Sequence, residues 1–485
     1  MKRVNLFLLF CLAAAAIPSP LQAADRIIVA RPLVSPEGSE ASTRIDDLLD
    51  RASAVINRLY GDSIRTAVPQ ENGDYTLATV ASLDRDNTTV VITLSRTSDG
   101  EKSPPLTWYA PASPDQPLWL ARAVYLLWSS FHGFRNTAAV EPPVFVDELP
   151  GALLSPLMPP MGIAVEPNGN VAVALLMSCV ELDPSLRQVG APGSGLEEKG
   201  VPYYAGGVSA TPGGSLFLKP NGGRDLYRLQ PGGAPPQKVP TGLELASIYY
   251  WTALSDGSVL LVDATNRKAY RVAPGRKRAE LALFPNPSSW PTAWAAGADG
   301  TIWVYDPLLK GVRIFTAEGT PADILLPLLD PARSLVPTAM AVGPDGSFLM
   351  LSAGHLLKFR RDGALVWEMA TMPGSDQDTL PTTAAIAVDW SRGTIYLADL
   401  VSKRIIKLLD RAYSRDKGIR NDLDEKILAA RAKKAADEAG ADAEAARIYE
   451  AAGSLLMARA YWQKVDDADP GNAAAAARLL AIELG

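Results

Sequence analysis

Residues 337–368 read PTAMAVGPDGSFLMLSAGHLLKFRRDGALVWE and contain the pattern that decides the fold. A short apolar run leads into Asp345-Gly346, and a second apolar run begins directly after this dipeptide. An Asp-Gly pair supplies the positive φ values that a tight hairpin turn requires. The stretch therefore predicts two antiparallel β-strands joined by a two-residue turn.

The same pattern occurs six times, with turn glycines that lie 43 to 47 residues apart. The six turns are Asn168-Gly169, Gly213-Gly214, Asp256-Gly257, Asp299-Gly300, Asp345-Gly346 and Arg392-Gly393. Most repeats add a third strand that alternates apolar with basic residues, which is typical of a half-exposed strand. A period of about 40 to 50 residues with several strands per repeat is the signature of β-propeller blades. The sequence thus predicts a six-bladed propeller over residues 160–410, with another turn type at Arg392-Gly393.

Two segments of this region resemble the NHL-repeat family. They are PMGIAVEPNGNVAVA, which starts at Pro160, and PTTAAIAVDWSRGTIYLAD, which starts at Pro381. The resemblance covers about Pro160 to Asp410 and implies an NHL-type propeller. It implies little about activity, because such propellers serve as enzymes, ligand binders and scaffolds.

The first 23 residues predict a cleaved secretory signal peptide. Lys2 and Arg3 precede an apolar run, and Leu21-Gln22-Ala23 offers a small-residue cleavage site. The run is shorter than the roughly 20 residues of a membrane span, and no later stretch is apolar enough to cross a bilayer. We therefore expect a periplasmic or secreted protein without a membrane span.

Charge and cysteine content narrow the range of partners. The formal net charge is −6, which argues against nucleic acid because phosphate contacts need a basic surface. After cleavage Cys179 is the one remaining cysteine, so no internal disulfide is expected. We interpret Cys179 as a small buried residue, with a reactive thiol as the alternative.

Residues 25–135 predict a small α/β domain with the order β-α-β-β-β-α. The expected elements are a strand at 26–33, a helix capped by Ser42 or Thr43, a hairpin of 75–83 with 88–96, a strand at 106–110 and a helix at 118–131. A secreted α/β domain followed by a propeller is similar in domain order to TolB, an envelope protein that partners a lipoprotein and colicins. This resemblance implies a binding role in the cell envelope.

Residues 136–159 form a proline-rich linker that contains the strand-like Val144-Phe145-Val146. We predict that this strand joins the sixth blade as its outer strand. Joining the two ends of the ring in this way would remove the exposed edges of the terminal blades.

Residues 416–485 predict a helical segment, because alanine and charged residues replace the glycine turns. A helix is expected at 423–439, and residues 439–472 resemble one tetratricopeptide (TPR) repeat. Its aromatic, small, aromatic and proline positions are occupied by Tyr449, Ala458, Trp462 and Pro470. One repeat is below the three normally needed for stability. The segment must therefore dock on the propeller, pair with another chain or be marginally ordered. Overall the expectation is a multidomain, mainly β protein with an α/β domain, a six-bladed propeller and a helical TPR-like hairpin.

The candidate binding residues cluster before the first strands and after the second strands of the blades. The aromatic candidates are Tyr203, Tyr204, Tyr249, Tyr250 and Trp290, and the acidic ones are Asp263, Asp306 and Asp399. The aromatic residues indicate either a ligand or partner surface or ordinary packing between blades. The carboxylates indicate either a cation site, as in propeller lactonases, or caps of the next turn.

The chain has two histidines, His132 and His355, and no metalloprotease, serine-hydrolase or phosphate-loop motif. We therefore predict an exported, non-enzymatic scaffold or binding protein without a cofactor. Its expected partners are other envelope proteins, which it would contact through the propeller face and the TPR-like tail. The alternatives are a metal-dependent propeller hydrolase or lactonase and a sensor of a small ligand such as a sugar or peptide.

Overall fold

The protein was analysed as a computed structural model. The structure describes residues 25–29, 33–35, 39–60, 64–67, 73–84, 87–111, 116–131, 140–150, 153, 159–175, 178–192, 205–220, 224–230, 236–276, 278–284, 290–327, 329, 333, 335–372, 375, 377–382, 384–432 and 438–484. The chain forms two compact units, residues 1–132 and 133–485. The predicted signal peptide and His132 lie outside the described residues.

The first unit contains one sheet of six strands and two helices. The elements are β1 (Asp25–Val29), β2 (Leu33–Ser35), α1 (Ser39–Tyr60), β3 (Ile64–Ala67), β4 (Tyr75–Asp84), β5 (Asn87–Arg96), β6 (Leu106–Pro111) and α2 (Gln116–Phe131). The sheet order is β3-β1-β4-β5-β6, and β2 pairs with β4. The strand predicted at 26–33 is interrupted, and the short strands β2 and β3 escaped sequence analysis because neither carries a clear alternating pattern.

The second unit contains six four-stranded antiparallel sheets, numbered here in chain order. Sheet 1 comprises β8 (Pro160–Val165), β9 (Val171–Leu175), β10 (Ser178–Leu182) and β11 (Gln188–Gly190). Sheet 2 comprises β12 (Ala205–Ala210), β13 (Leu216–Pro220), β14 (Asp225–Leu229) and β15 (Gln237–Pro240). Sheet 3 comprises β16 (Ile248–Ala253), β17 (Val259–Asp263), β18 (Lys268–Val272) and β19 (Ala279–Leu281).

The remaining three sheets follow the same pattern. Sheet 4 comprises β20 (Ala293–Ala296), β21 (Ile302–Asp306), β22 (Gly311–Phe315) and β23 (Pro321–Leu325). Sheet 5 comprises β24 (Pro337–Val342), β25 (Phe348–Ser352), β26 (His355–Phe359) and β27 (Leu365–Met369). Sheet 6 comprises β28 (Ala385–Asp389), β29 (Thr394–Asp399), β30 (Arg404–Leu409) and, as its fourth strand, β7 (Val144–Pro150).

The six sheets contact one another in a closed cycle. The first strand of each sheet contacts the first strand of the next, and β28 contacts β8. A buried apolar cluster lies between each neighbouring pair of sheets. At Gly162 an added Cβ would lie 3.3 Å from the Cα of Gly207, so these two first strands approach closely. This is a propeller-type arrangement, in which each sheet buries both faces against its neighbours.

The repeated hairpin turns differ from the two-residue type expected. In sheet 5 the N–H of Gly343 donates to the carbonyl of Ser347, and the N–H of Gly346 donates to the carbonyl of Gly343. Gly346 has a φ of 76°, whereas Asp345 does not have a positive φ. The loop is therefore a three-residue turn whose last residue is left-handed, and only that residue must be glycine.

The third strands are more buried than their basic residues suggested. Arg404 and Lys407 on β30 are both buried, because β7 covers that strand and each cation finds a partner inside the protein. The guanidinium of Arg404 donates to Glu148 on β7 at 2.5 Å. An alternating basic residue in these repeats thus marks a buried ion pair as readily as a solvated face.

The chain ends in five helices, α3 (Arg411–Asp416), α4 (Asp422–Ala432), α5 (Glu438–Ala451), α6 (Leu455–Ala468) and α7 (Ala473–Leu484). The helix predicted at 423–439 ends at Ala432, and residues 433–437 are outside the described part. The apolar cluster between sheets 6 and 1 continues directly into α4–α7. The helical segment was expected to dock on the propeller, to pair with another chain or to be marginally ordered. The structure shows the first of these, with the helices packed on sheets 6 and 1. Within the described residues, no helix has the length and hydropathy of a membrane span.

Candidate functional site

A backbone irregularity places one aromatic side chain at the end of sheet 3. The pairing of β16 with β17 shifts between Ile248, which faces Asp263, and Tyr250, which faces Val262. Tyr249 is therefore the extra residue of a β-bulge, a feature that redirects a side chain at a sheet edge. Its side chain is 55% exposed. The first strands of sheets 1, 2 and 5 carry a shift at the equivalent point.

Tyr249 belongs to a small group of rings that we call the aromatic patch, formed by Tyr249, Arg267, Phe284 and Trp290. The ring centroids of Tyr249 and Trp290 are 5.7 Å apart in an edge-to-face arrangement. Phe284 stacks on Trp290 at 5.7 Å, and the guanidinium of Arg267 lies 5.4 Å from the centre of the Trp290 ring. These rings and the cation hold one another in place, which creates a preorganised apolar surface with a positive rim.

The other aromatic candidates do not belong to this patch. Tyr250 stacks on Trp294 with ring centroids 5.9 Å apart, and burial raises the pKa of its hydroxyl well above the ordinary value. Tyr250 thus packs between sheets 3 and 4, against the same apolar cluster as Phe284 and Trp290 of the aromatic patch. Tyr203 and Tyr204 lie outside the described residues.

The three strand-end carboxylates act locally as turn caps. Asp263 accepts hydrogen bonds from the backbone N–H of Asn266 at 3.1 Å and from its side chain at 2.7 Å. Asp306 accepts from the N–H of Leu308, and Asp399 accepts from the N–H of Val401, both at 3.0 Å. No group of three or more metal-ligating side chains occurs among the described residues. The arrangement is that of carboxylates that order the next turn.

The same end of the sheets gathers exposed apolar side chains, and we call it the strand-end face. It is the end where each first strand begins and each second strand ends. The exposed large apolar residues there are Tyr249, Leu308, Val336, Leu400 and Val401. Val401 is 75% exposed. They come from sheets 3 to 6, and apolar exposure concentrated on one side of a protein is a mark of interaction surfaces.

His355 lies at this end too, as the first residue of β26. Its Nδ1 lies 2.5 Å from Glu368, and Glu368 also accepts two hydrogen bonds from Arg333, at 2.5 and 2.8 Å. The hydrogen bonds from Arg333 hold the pKa of Glu368 below its ordinary value. The carboxylate therefore stays ionised and fixes the orientation of the imidazole.

A second cluster of aromatic and charged groups lies where the helices meet sheet 6, and we call it the tail clasp. The Asp147 carboxylate on β7 accepts hydrogen bonds from the hydroxyls of Tyr449 at 2.7 Å and Tyr461 at 2.9 Å. The guanidinium of Arg431 lies 3.9 Å from the same carboxylate and donates to the carbonyl of Val146 at 2.6 Å. Helices α4, α5 and α6 thus all bond to one strand.

Burial dominates the electrostatics of the clasp. It raises the pKa of Asp147 above the ordinary value of 3.8, although Arg431 and the two tyrosine hydroxyls oppose this shift. Lys407 on β30 adds a second buried link, since its ammonium donates to Asp424 on α4. Breaking either link would leave a charge buried without its partner, which is costly.

The TPR-like positions are largely buried in this docking surface. Tyr449, Ala458 and Trp462 are buried, and the indole N–H of Trp462 donates to Glu450 at 2.8 Å. Pro470 is exposed in the turn after α6. A pocket of about 200 Å³ beside the clasp is lined by residues that include Asp147, Leu153, Arg459, Tyr461 and Lys464.

Sequence reasoning missed both the bulge and the clasp. The bulge leaves no composition signal, because it depends on the register between two strands. Asp147 stands in a segment predicted as linker and strand, and nothing local links it to tyrosines about 300 positions later. The one available signal was an acidic residue in the middle of an apolar strand, VFVDELP, which indicates a buried carboxylate that needs partners.

No protein-family model and no curated protein matches the chain. Virginiamycin B lyase from Staphylococcus aureus is similar at 13% identity over 69% of this chain and 99% of that chain, with a TM-score of 0.36. A gluconolactonase from Xanthomonas campestris is 14% identical over 56% of this chain and 99% of that chain, with a TM-score of 0.37. TolB from Acinetobacter baumannii is 10% identical over 80% of this chain and 94% of that chain, with a TM-score of 0.30. With all three TM-scores below 0.5, the propeller-type fold rests on the sheet order and the closed cycle of contacts.

Proposed function

We propose that the protein is an exported binding protein of the cell envelope, and that its partner is another protein that covers the strand-end face. The observation that carries this proposal is the collection of five exposed apolar residues at that end of sheets 3 to 6. Large aromatic side chains held rigidly by neighbours are the usual anchors of protein interfaces. The aromatic patch supplies such an anchor, and Arg267 adds charge at its rim.

The proposal includes the finer architecture predicted from the sequence. The six sheets are taken as NHL-like blades of a six-bladed propeller, and α5 and α6 as one TPR-like repeat. Export through a signal peptide at residues 1–23 and a periplasmic location are part of the same proposal. The domain boundaries at 25–135, 136–159, 160–410 and 416–485 remain predictions.

The tail has a different role here from a free docking arm. The hydroxyls of Tyr449 and Tyr461 are occupied by Asp147, so this surface is already used within the chain. We infer that the tail braces the junction between sheets 6 and 1, where the two ends of the cycle meet. The strand-end face remains the surface for a partner.

The test is capture of partners from an envelope extract by the full chain and by a double variant, Tyr249→Ala with Trp290→Ala. We expect the double variant to lose partners that the unmodified chain retains, with no change in its circular dichroism spectrum. The control is Val189→Ala with Leu480→Ala, which removes two exposed apolar side chains away from the strand-end face. Equal capture by the folded double variant and by the unmodified chain would contradict the proposal.

A second candidate function is a propeller hydrolase or lactonase, and the arrangement around His355 is the observation that favours it. An imidazole oriented by an ionised carboxylate can act as a general base. A metal-dependent hydrolase would have to use Asp263 and Asp306 as metal ligands, although both carboxylates already cap turns. The test is lactone hydrolysis by the purified protein together with its metal content. Activity that His355→Ala abolishes would support this candidate, and inactivity with no bound metal would contradict it.

A further inference from the structure

Lys219 is a buried lysine on β13 whose amine has no hydrogen bond or ion pair to any described residue. Its exposed fraction is 6%. Lysine is almost never fully buried unless it is paired. A buried amine without a carboxylate is therefore an unusual feature that needs a reason.

The other five repeats show how unusual this residue is. The position five residues after the turn glycine is occupied by Ala174, Val262, Tyr305, Leu351 and Ala398 in the other sheets. All five are buried and predominantly apolar. The repeat therefore accepts an apolar side chain here, and lysine is not required for the packing of a sheet of this kind.

The side chain of Lys219 lies on the face of sheet 2 that is turned toward sheet 3. Lys219 is the cross-strand partner of Gly207 on β12, and partners across an antiparallel pair share one face. An added Cβ on Gly207 would lie 2.8 Å from the indole Nε1 of Trp251 on β16. The Trp251 indole thus occupies the place that a side chain on Gly207 would take, on the same face of sheet 2 as Lys219.

The chemistry of these two groups is complementary to one class of ligand. An ammonium and an indole N–H are both donors and have no acceptor capacity. Within the described residues, neither donates to any protein acceptor. Burial lowers the pKa of the Lys219 amine, because no nearby carboxylate offsets the loss of hydration. A ligand oxyanion would offset that loss by pairing with the charged amine.

We propose that Lys219 and the indole N–H of Trp251 form an oxyanion-binding site between sheets 2 and 3, which takes the carboxylate or phosphate group of a small ligand. Gly207 lets the Trp251 indole approach this face of sheet 2 closely, because a Cβ at position 207 would lie only 2.8 Å from Nε1. This site is distinct from the aromatic patch, which faces sheet 4.

The experiment is a calorimetric titration of the full chain with acetate and, separately, with inorganic phosphate, at constant ionic strength. These two probes distinguish a carboxylate ligand from a phosphate ligand. We expect one of them to bind the unmodified protein and Lys219→Met to weaken that binding by about thirtyfold or more, since losing one partner of a buried charge pair costs at least about 2 kcal/mol. Trp251→Phe should weaken binding by about tenfold or more, because a hydrogen bond to a charged acceptor contributes at least about 1.5 kcal/mol.

The control is Lys238→Met, which removes an exposed lysine of the same sheet that pairs with Asp225. It should bind the probe as the unmodified protein does, and so should the double variant Tyr249→Ala with Trp290→Ala. A loss of anion binding in Lys219→Met and a loss of partner capture in the aromatic-patch variant can therefore be observed separately, so one proposal can be wrong while the other holds. Equal binding by Lys219→Met and the unmodified protein, or no binding of either probe, would overturn the proposal.

The pH dependence of binding gives a second readout that needs no variant. Because anion binding raises the pKa of the amine, binding should weaken as the pH rises through the range in which the free amine loses its proton. Titrations at a series of pH values up to this range measure the weakening. Binding that stays unchanged as the amine loses its proton would contradict the proposal. We expect Lys219→Met to fold and to melt at a higher temperature than the unmodified protein. The change removes an unpaired amine from a buried position, and methionine has nearly the same side-chain volume as lysine.

Discussion

The aromatic patch and the tail clasp both combine tyrosine rings with an arginine, yet the two clusters have different roles. In the patch, Tyr249 is largely exposed and packs edge-to-face on Trp290, with a guanidinium beside the rings. In the clasp, Tyr449 and Tyr461 stack on each other with ring centroids 5.8 Å apart, and both hydroxyls donate to one buried carboxylate. The Tyr249 side chain is thus open to solvent, whereas both tyrosine hydroxyls of the clasp are bonded within the protein.

The difference between the two regions comes from what covers them. Helices α4 to α6 lie over Asp147 and exclude water, so every polar group there must find a partner inside the protein. Nothing in the described part of the chain covers Tyr249. A tyrosine under a helix therefore contributes to stability, while a tyrosine on an open sheet end is available for binding. Substitutions should separate these two roles.

The largest effect is expected for Asp147→Ala. The change removes the acceptor of two buried tyrosine hydroxyls and the carboxylate opposite the Arg431 guanidinium, which should lower the free energy of unfolding by about 3–5 kcal/mol. Urea unfolding measures the loss, and limited proteolysis should show earlier cleavage within residues 411–485. The control is Asp362→Ala, which removes an exposed carboxylate paired with Arg360 and should cost less than about 1 kcal/mol. Similar losses in both variants would mean that the clasp does not hold the tail.

A smaller effect is expected for Tyr449→Phe or Tyr461→Phe. Each change keeps the stacked ring and removes one donor to Asp147, so each should lower the free energy of unfolding by about 1–3 kcal/mol. In the background of Asp147→Ala the same changes should cost little, because their acceptor is already gone. Additive losses in this double-mutant cycle would contradict a direct coupling between the hydroxyls and Asp147.

The pH dependence of stability should separate the clasp from the patch further. Because the pKa of Asp147 is raised above 3.8, the folded protein binds more protons than the unfolded chain at this site. The stabilisation from protonated Asp147 is therefore complete below pH 3.8 and is lost as the pH rises through the folded pKa, at no more than about 1.4 kcal/mol per pH unit. The measurement is the difference in unfolding free energy between the unmodified protein and Asp147→Asn across this range. A difference that does not change with pH would show that the carboxylate is not buried as described.

The smallest effect on stability is expected for Tyr249→Ala. An exposed side chain away from buried networks should change the free energy of unfolding by no more than about 0.5 kcal/mol. The same variant should still weaken partner capture, which is the reverse of the behaviour expected for the clasp. A loss of stability comparable to that of Tyr449→Phe would assign Tyr249 a packing role instead.

The turn glycines show which parts of the fold can be predicted from local sequence. Gly346 marks a hairpin because the left-handed conformation strongly favours glycine, and this holds at all six positions. The apolar second strands were equally clear, since they are buried on both faces. The fourth strands of sheets 1 to 5 escaped prediction, because short edge strands such as β11 and β15 are mostly exposed and carry little apolar signal. The fourth strand of sheet 6 was predicted, and β7 pairs with β30 as expected. Cys179 is buried, as expected from its place among apolar residues.

The site residues were predicted only where they are local. Asp263 and Asp306 were correctly placed at strand ends, and the structure shows them in the turn-capping arrangement that was one of the two alternatives. Tyr249 was selected as aromatic, but its exposure depends on a register shift that joins two strands. Lys219 carries no local signal, because its lack of a partner becomes apparent only when the facing sheet is present.

The repeat, most of its strands and the positions of its turns can be predicted from the sequence, because backbone conformation and alternating burial are set within a few residues. The folded structure is needed to show which strand ends meet, which tyrosines are covered and which charges lack partners. Those properties depend on contacts between residues far apart in the chain, such as Asp147 with Tyr461. Burial changes the free energy of a charge by an amount that depends on every neighbouring group, and no local pattern contains that information.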